Sequence, residues 1–154
     1  MSGHNYAPPG KCKVFAHRGA NREAMENTRN AFDKALRYAI DGIETDVQLS
    51  RDEVAVLWHD RFLNKAGLSD KKIDDFDYPQ LQTLINPGSG NEGIMTLRDF
   101  LMTYRQCCHL LIEVKNRDWE PFTRHQAKMR QTLDLIGDGP DRNILVSSFN
   151  LASL

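Results

Sequence analysis

Short apolar runs alternate with longer amphipathic stretches along this chain, and the spacing of apolar positions changes from one to the next. "KVFAH" (13–17) is a brief β-type run that stops at Arg18 and Gly19. From Asn27 onward the spacing becomes helical: Ala31, Phe32, Ala35, Leu36 and Ala39 share a face, with Asn27 or Thr28 as the cap, and Asp41-Gly42 ends the element. Residues 43–49 alternate strictly. Ile43, Thr45, Val47 and Leu49 point one way, while Glu44, Asp46 and Gln48 point the other. "VAVLWHD" (54–60) is apolar on both faces, as in a buried strand.

The pattern weakens over 61–93, where "DFDYPQLQTLI" predicts one short helix and "NPGSGNEG" a loop. "TLRDFLMTY" (96–104) opens with the capping pair Thr96 and Asp99, and "LLIEVK" (110–115) is a further strand. Pro121 suits the first turn of a helix whose apolar face is Phe122, His125, Met129, Leu133 and Ile136. "GDGPDRN" breaks it, and "ILVSS" (144–148) is the last strand. Residues 1–12, polar and containing Pro8-Pro9-Gly10, read as a flexible arm ahead of a domain over 13–154. The order β-α-β-β-(α)-α-β-α-β predicts an α/β fold with a parallel sheet.

At 154 residues the chain can bury roughly 70% of its unfolded surface without staples. Its 20 Lys and Arg nearly balance 21 Asp and Glu, which argues against the basic stripe of a nucleic-acid binder and against a polybasic membrane patch. Cys12, Cys107 and Cys108 are odd in number and lack metal-type spacing, as in a reduced compartment. The N-terminal residues lack a signal-peptide h-region, and the longest apolar run, 54–58, is too short for a transmembrane segment. A cytoplasmic protein is expected.

Charge collects where strands end. His17 and Arg18 close the first strand, Glu44 and Asp46 lie in the second, His59 closes the third, and Glu113 and Lys115 share one face of the fourth. Parallel α/β folds open all their strand C-termini on one edge, so these seven groups are expected to converge. Buried carboxylates must be paired, protonated or metal-bound, and an all-oxygen set from Glu44, Asp46 and Glu113 suits Mg²⁺ or Ca²⁺. Arg18 and Lys115 beside it favour an anion, best a phosphate, and two histidines are suited to acid–base work. His4, His109 and His125 are assigned to tail, loop and helix face, and Tyr38, Trp58 and Trp119 to packing.

In order and spacing the chain resembles the glycerophosphodiester phosphodiesterase family. "HRGANREAMENT" (17–28) matches its His-Arg-Gly, five residues, Pro-Glu-Asn-Thr block, with Met25 in place of the proline. "DGIETD" (41–46), "DEVAVLWHD" (52–60), "IMTLRDFL" (94–101), "LLIEVK" and "ILVSSF" (144–149) resemble further family blocks. The resemblance implies His17 and His59 as the acid–base pair, and Glu44, Asp46 and Glu113 as ligands of a divalent metal. Arg18 and Lys115 would then hold the phosphate of a small-molecule phosphodiester. Hydrolysis to glycerol 3-phosphate and an alcohol is the expected reaction. A catalytically incompetent fragment or pseudoenzyme, or a phosphodiesterase of lysophospholipids or sphingolipids, are the alternatives.

The family fold is a TIM-type (β/α)₈ barrel of about 250 residues, at least ~200. This chain reaches only about its first five strands. A C-terminal portion outside the sequence, or a second copy forming a homo-oligomer, is expected to complete the barrel, the former being favoured.

Overall fold

The structure is a computed structural model that describes residues 12–85, 93–139 and 143–153. The arm expected over 1–12, apart from Cys12, and nearly all of the loop expected at 86–93 lie outside the described residues. Five strands form one sheet: β1 (Phe15–His17), β2 (Gly42–Leu49), β3 (Ala55–Leu57), β4 (His109–Val114) and β5 (Ile144–Ser147). β1, β2, β4 and β5 lie side by side in that order and all run parallel, as in the repeating βα units of an α/β barrel. The helices between them are α1 (Arg29–Ala35), α2 (Tyr78–Leu84), α3 (Leu97–Tyr104) and α4 (Phe122–Ile136).

The local reasons are those the sequence offers. Thr28 caps α1 by accepting from the Ala31 N–H, and Thr96 caps α3 by accepting from the Asp99 N–H. Phe32, Phe100 and Tyr104 pack ring against ring at centroid separations of 4.9–5.4 Å, tying α1 to α3. Ile43, Val47 and Leu49 join the same core, so the apolar face of β2 is turned toward the helices. Gly42 is required here: a Cβ would meet the His109 carbonyl oxygen and the Phe15 ring, each at 2.5 Å. A second core of Val56, Trp58, Leu63, Ile73, Leu81, Ile85 and Ile94 fills the excursion between β3 and α3, and Met25 packs on it.

Three expectations are corrected. The third strand is not parallel: β3 pairs antiparallel with the end of β2, Val47 opposite Leu57 and Leu49 opposite Ala55. Only residues 50–54 join them, and so short a connection allows a hairpin but no parallel crossover. The helix expected over 27–40 closes at Ala35, because Arg37 and Tyr38 donate to the i−3 carbonyls of Lys34 and Ala35, which leaves Leu36 and Ala39 exposed. The face of α4 is also rotated. Its buried residues are His125, Lys128, Met129 and Thr132, while Phe122 and Leu133 are about half exposed (51% and 50%). The buried face is polar because β4 ends in backbone and charge that need partners.

Candidate active site

The sheet register brings the site together. His17 of β1 stands opposite Glu44 of β2, and Asp46 of β2 stands opposite Glu113 of β4. The period of two aims Glu44 and Asp46 to the face away from the helices. Glu44, Asp46 and Glu113 each offer a carboxylate oxygen, and these oxygens all lie within 4.8 Å of one another. The turn after β1 is built for this contact. Arg18 (φ 60°) and Gly19 (φ 82°) are both left-handed, which turns the Arg18 N–H onto the Glu44 carboxylate at 3.0 Å. A Cβ on Gly19 would sit 2.7 Å from the Ala31 backbone, so glycine alone lets the turn rest on α1.

Cations alternate with these acids. The Arg18 guanidinium lies 3.3 Å from Asp46 Oδ2 and 3.3 Å from Glu26 Oε1. Asn27 donates its amide to Asp46 Oδ2 at 3.0 Å, and its own oxygen accepts from the Thr45 hydroxyl at 2.9 Å. Lys115 donates to Glu113 Oε1 at 2.7 Å. Its ammonium is also 3.4 Å from Asp46 Oδ1, yet that fully buried oxygen accepts no hydrogen bond. Burial, then the Asp46 charge, pushes Glu44 up to about 7, although the Arg18 N–H partly counters them. Three carboxylates thus crowd together with an acceptor left over. That donor set fits a hard divalent cation, which would be held by Glu44, Asp46 and Glu113.

His17 places Nε2 3.9 Å from Glu44 Oε2, with most of its ring exposed. His59 reaches the site by a different route from the one expected. The antiparallel return of β3 carries the chain back along β2, where the Trp58 N–H donates to the Asp46 carbonyl. His59 Nδ1 then meets Asp60 Oδ1 at 2.9 Å, Asp60 Oδ2 meets Lys65 at 2.9 Å, and Lys65 meets Glu26 Oε1 at 2.7 Å. Glu26 is the residue paired with Arg18. Burial would raise Asp60, but hydrogen bonds from His59 and Lys65 outweigh it and hold the carboxyl below its ordinary range. An ionised carboxylate only accepts, so Nδ1 carries the proton and Nε2 is left as the outward nitrogen.

Six of the seven expected residues (His17, Arg18, Glu44, Asp46, Glu113 and Lys115) form one set of direct contacts, and His59 joins through Asp60, Lys65 and Glu26. Sequence reasoning gave no site role to those three, to Asn27, read only as a possible helix cap, or to Arg117, whose guanidinium donates to the His59 carbonyl and to Gln48 Oε1. For Asp60 a signal existed in its adjacency to His59. Lys65, in a single 3₁₀ turn (Asn64–Ala66), and Arg117, on irregular backbone, had none.

Parallel βα units with a carboxylate–cation centre on the strand edge define a class: α/β-barrel proteins with a charged site at the strand ends. The chain belongs to the glycerophosphoryl diester phosphodiesterase family, whose model matches residues 17–154. It is 33% identical over 149 residues to the glycerophosphodiester phosphodiesterase of Bacillus altitudinis, covering 92% of this chain and 60% of that one. Among solved structures it is similar to a glycerophosphodiester phosphodiesterase of Thermotoga maritima, with TM-score 0.75 and 28% identity, over 95% of this chain and 58% of that one. It is also similar to an Oleispira antarctica phosphodiesterase in complex with the product sn-glycerol-3-phosphate, with TM-score 0.75 and 26% identity, over 92% and 59%. The TIM-type α/β fold is thereby established. The chain spans about 60% of the length of these relatives. No helix among the described residues is long and apolar enough to cross a membrane.

Proposed function

We propose that this site serves hydrolysis of glycerophosphodiesters to glycerol 3-phosphate and a free alcohol. One observation carries the reading: three carboxylates within 4.8 Å are interleaved with Arg18 and Lys115, adjoin His17, and are linked to the Asp60-oriented His59 through Arg18, Glu26 and Lys65. Family membership and the glycerol-3-phosphate bound to the Oleispira relative support the substrate class. Mg²⁺ or Ca²⁺ on Glu44, Asp46 and Glu113 would supply positive charge to polarise the phosphoryl oxygens.

The chain's own groups do the rest. Arg18 and Lys115 attract the phosphate and stabilise charge that builds on its free oxygens. His17, exposed to the solvent side, accepts the proton of the attacking oxygen as it bonds to phosphorus: that of water directly, or of the adjacent glycerol hydroxyl, whose cyclic phosphate water then opens to glycerol 3-phosphate. His59 donates a proton from Nε2 to the alkoxide as the phosphorus–oxygen bond to the alcohol breaks. Asp60 favours that order of roles, because an anion at Nδ1 stabilises the protonated imidazole. Glu26 and Lys65 keep Asp60 in place.

The test is turnover of glycerophosphocholine, read as released glycerol 3-phosphate with and without Mg²⁺ or Ca²⁺. His17→Ala and His59→Ala are each expected to lower kcat by about 10²–10⁴ with unfolding unchanged. Near-normal turnover in either variant would sink the assignment.

A further inference from the structure

α4 leaves Phe122 and Leu133 half exposed and buries a lysine instead. Lys128 is fully buried (0% exposed) and lies behind the end of β4. Its ammonium donates to the Lys115 carbonyl at 2.8 Å and to Glu120 Oε2 at 2.6 Å, and the Glu120 side chain is itself buried. His125, one turn earlier on the same face, also hydrogen-bonds the Lys115 backbone. Arg124 lies 3.8 Å from Glu120 and donates to the Leu49 and Ser50 carbonyls at the end of β2.

A buried ion pair of this kind is a poor device for stability. Well-packed apolar residues in its place are often neutral or stabilising, so the pair calls for another purpose. The backbone it holds supplies one. The pairing of β4 with β5 ends at Glu113 opposite Ser147, so β5 offers the Lys115 carbonyl no ladder partner. On its other side the Lys115 N–H donates to the Val47 carbonyl. The Lys115 peptide is therefore clamped by β2 through its N–H and by α4 through its carbonyl. That clamp fixes the direction in which the Lys115 side chain leaves the backbone, toward Glu113 at 2.7 Å and Asp46 at 3.4 Å.

We infer that Lys128, anchored by Glu120, is a positioning residue that sets Lys115 from behind the sheet. The consequence for catalysis rests on the proposed role of Lys115, but the clamp itself does not. When Lys128 is lost, the carbonyl keeps only the His125 bond, the end of β4 loosens, and the Lys115 ammonium is no longer held between the two carboxylates. Binding of cation and phosphate then weakens although no group that touches either has been changed.

The experiment compares Lys128→Met, the double variant Glu120→Gln/Lys128→Met, Lys128→Arg and Met129→Ala. The double variant removes both buried charges together and so folds even where Lys128→Met alone leaves Glu120 with only Arg124, at 3.8 Å. Met129→Ala trims the same helix face but deletes no hydrogen bond to Lys115. Amide hydrogen exchange at 115–117 is expected to speed up about tenfold or more in the Met variants and not in Met129→Ala. Mg²⁺ affinity by calorimetry should fall about tenfold in the same variants, with partial recovery in Lys128→Arg. Exchange in the double variant equal to that in Met129→Ala would overturn the clamp, whether or not the protein hydrolyses any diester. Faster exchange with unchanged Mg²⁺ affinity would overturn the positioning role and leave Lys128 a structural residue. Faster exchange in the double variant of a protein whose wild type hydrolyses no diester would uphold the clamp while the hydrolase reading fails.

Discussion

Glu44 offers a sharp test of the site, because its crowding makes the metal-free protein weaker where a metal would make it stronger. An unfolded Glu44 titrates near 4.5, and in the fold burial and Asp46 raise it to about 7. Between those values the folded chain keeps a proton that the unfolded chain has lost. Stability therefore falls as pH rises through this window, and the whole deficit is present above pH 7. At 1.36 kcal/mol per unit the deficit is at most roughly 3 kcal/mol. For a chain of this size that is on the order of 5–10 °C in Tm. In EDTA, Glu44→Gln should unfold at the wild-type temperature at pH 5 and several degrees above it at pH 8. Saturating Mg²⁺ should reverse the order at pH 8. Wild type gains about 4.1 kcal/mol at a thousandfold excess over Kd, more than the deficit, while the variant has lost a ligand. Differential scanning fluorimetry at pH 5 and 8, with and without Mg²⁺, reads all four conditions. A Glu44→Gln protein no more stable than wild type at pH 8 in EDTA would refute the carboxylate crowding and the metal assignment built on it.

Two further outcomes are expected. Asp60→Asn should keep the fold but lower kcat by about 10²–10⁴, because an amide neither fixes the Nδ1–H tautomer nor stabilises the protonated ring; the pH–rate profile should lose its basic-side shoulder, and an unchanged profile would remove Asp60 from the mechanism. Gly19→Ala should destabilise by about 1–3 kcal/mol in urea titrations, since the turn combines φ 82° with a 2.7 Å Cβ approach to the Ala31 backbone; a neutral result would show that the turn relaxes without glycine.

Much of the site was legible because its signals are local. A strand's period of two is enough to put Glu44 and Asp46 on one face and Ile43, Val47 and Leu49 on the other. Arg18-Gly19 marks where the first strand stops, and Thr28 and Thr96 mark where α1 and α3 start. The five residues between β2 and β3 also held the information that the third strand returns antiparallel, since so short a link admits no crossover. Apolar periodicity alone could not show it, because a buried strand looks the same in either direction.

The chain by itself determined the strand and helix order, the shared face of Glu44 and Asp46, and the residue types that converge at the strand ends. Tertiary structure decided which of them touch. It joined His59 to Arg18 through Asp60, Lys65 and Glu26, residues up to 39 positions apart for the Lys65–Glu26 pair. It also rotated α4 so that Lys128, not Leu133, faces the sheet. In each case the cause is a buried polar group that must find a partner across the fold, and hydrophobic periodicity carries no record of where that partner lies.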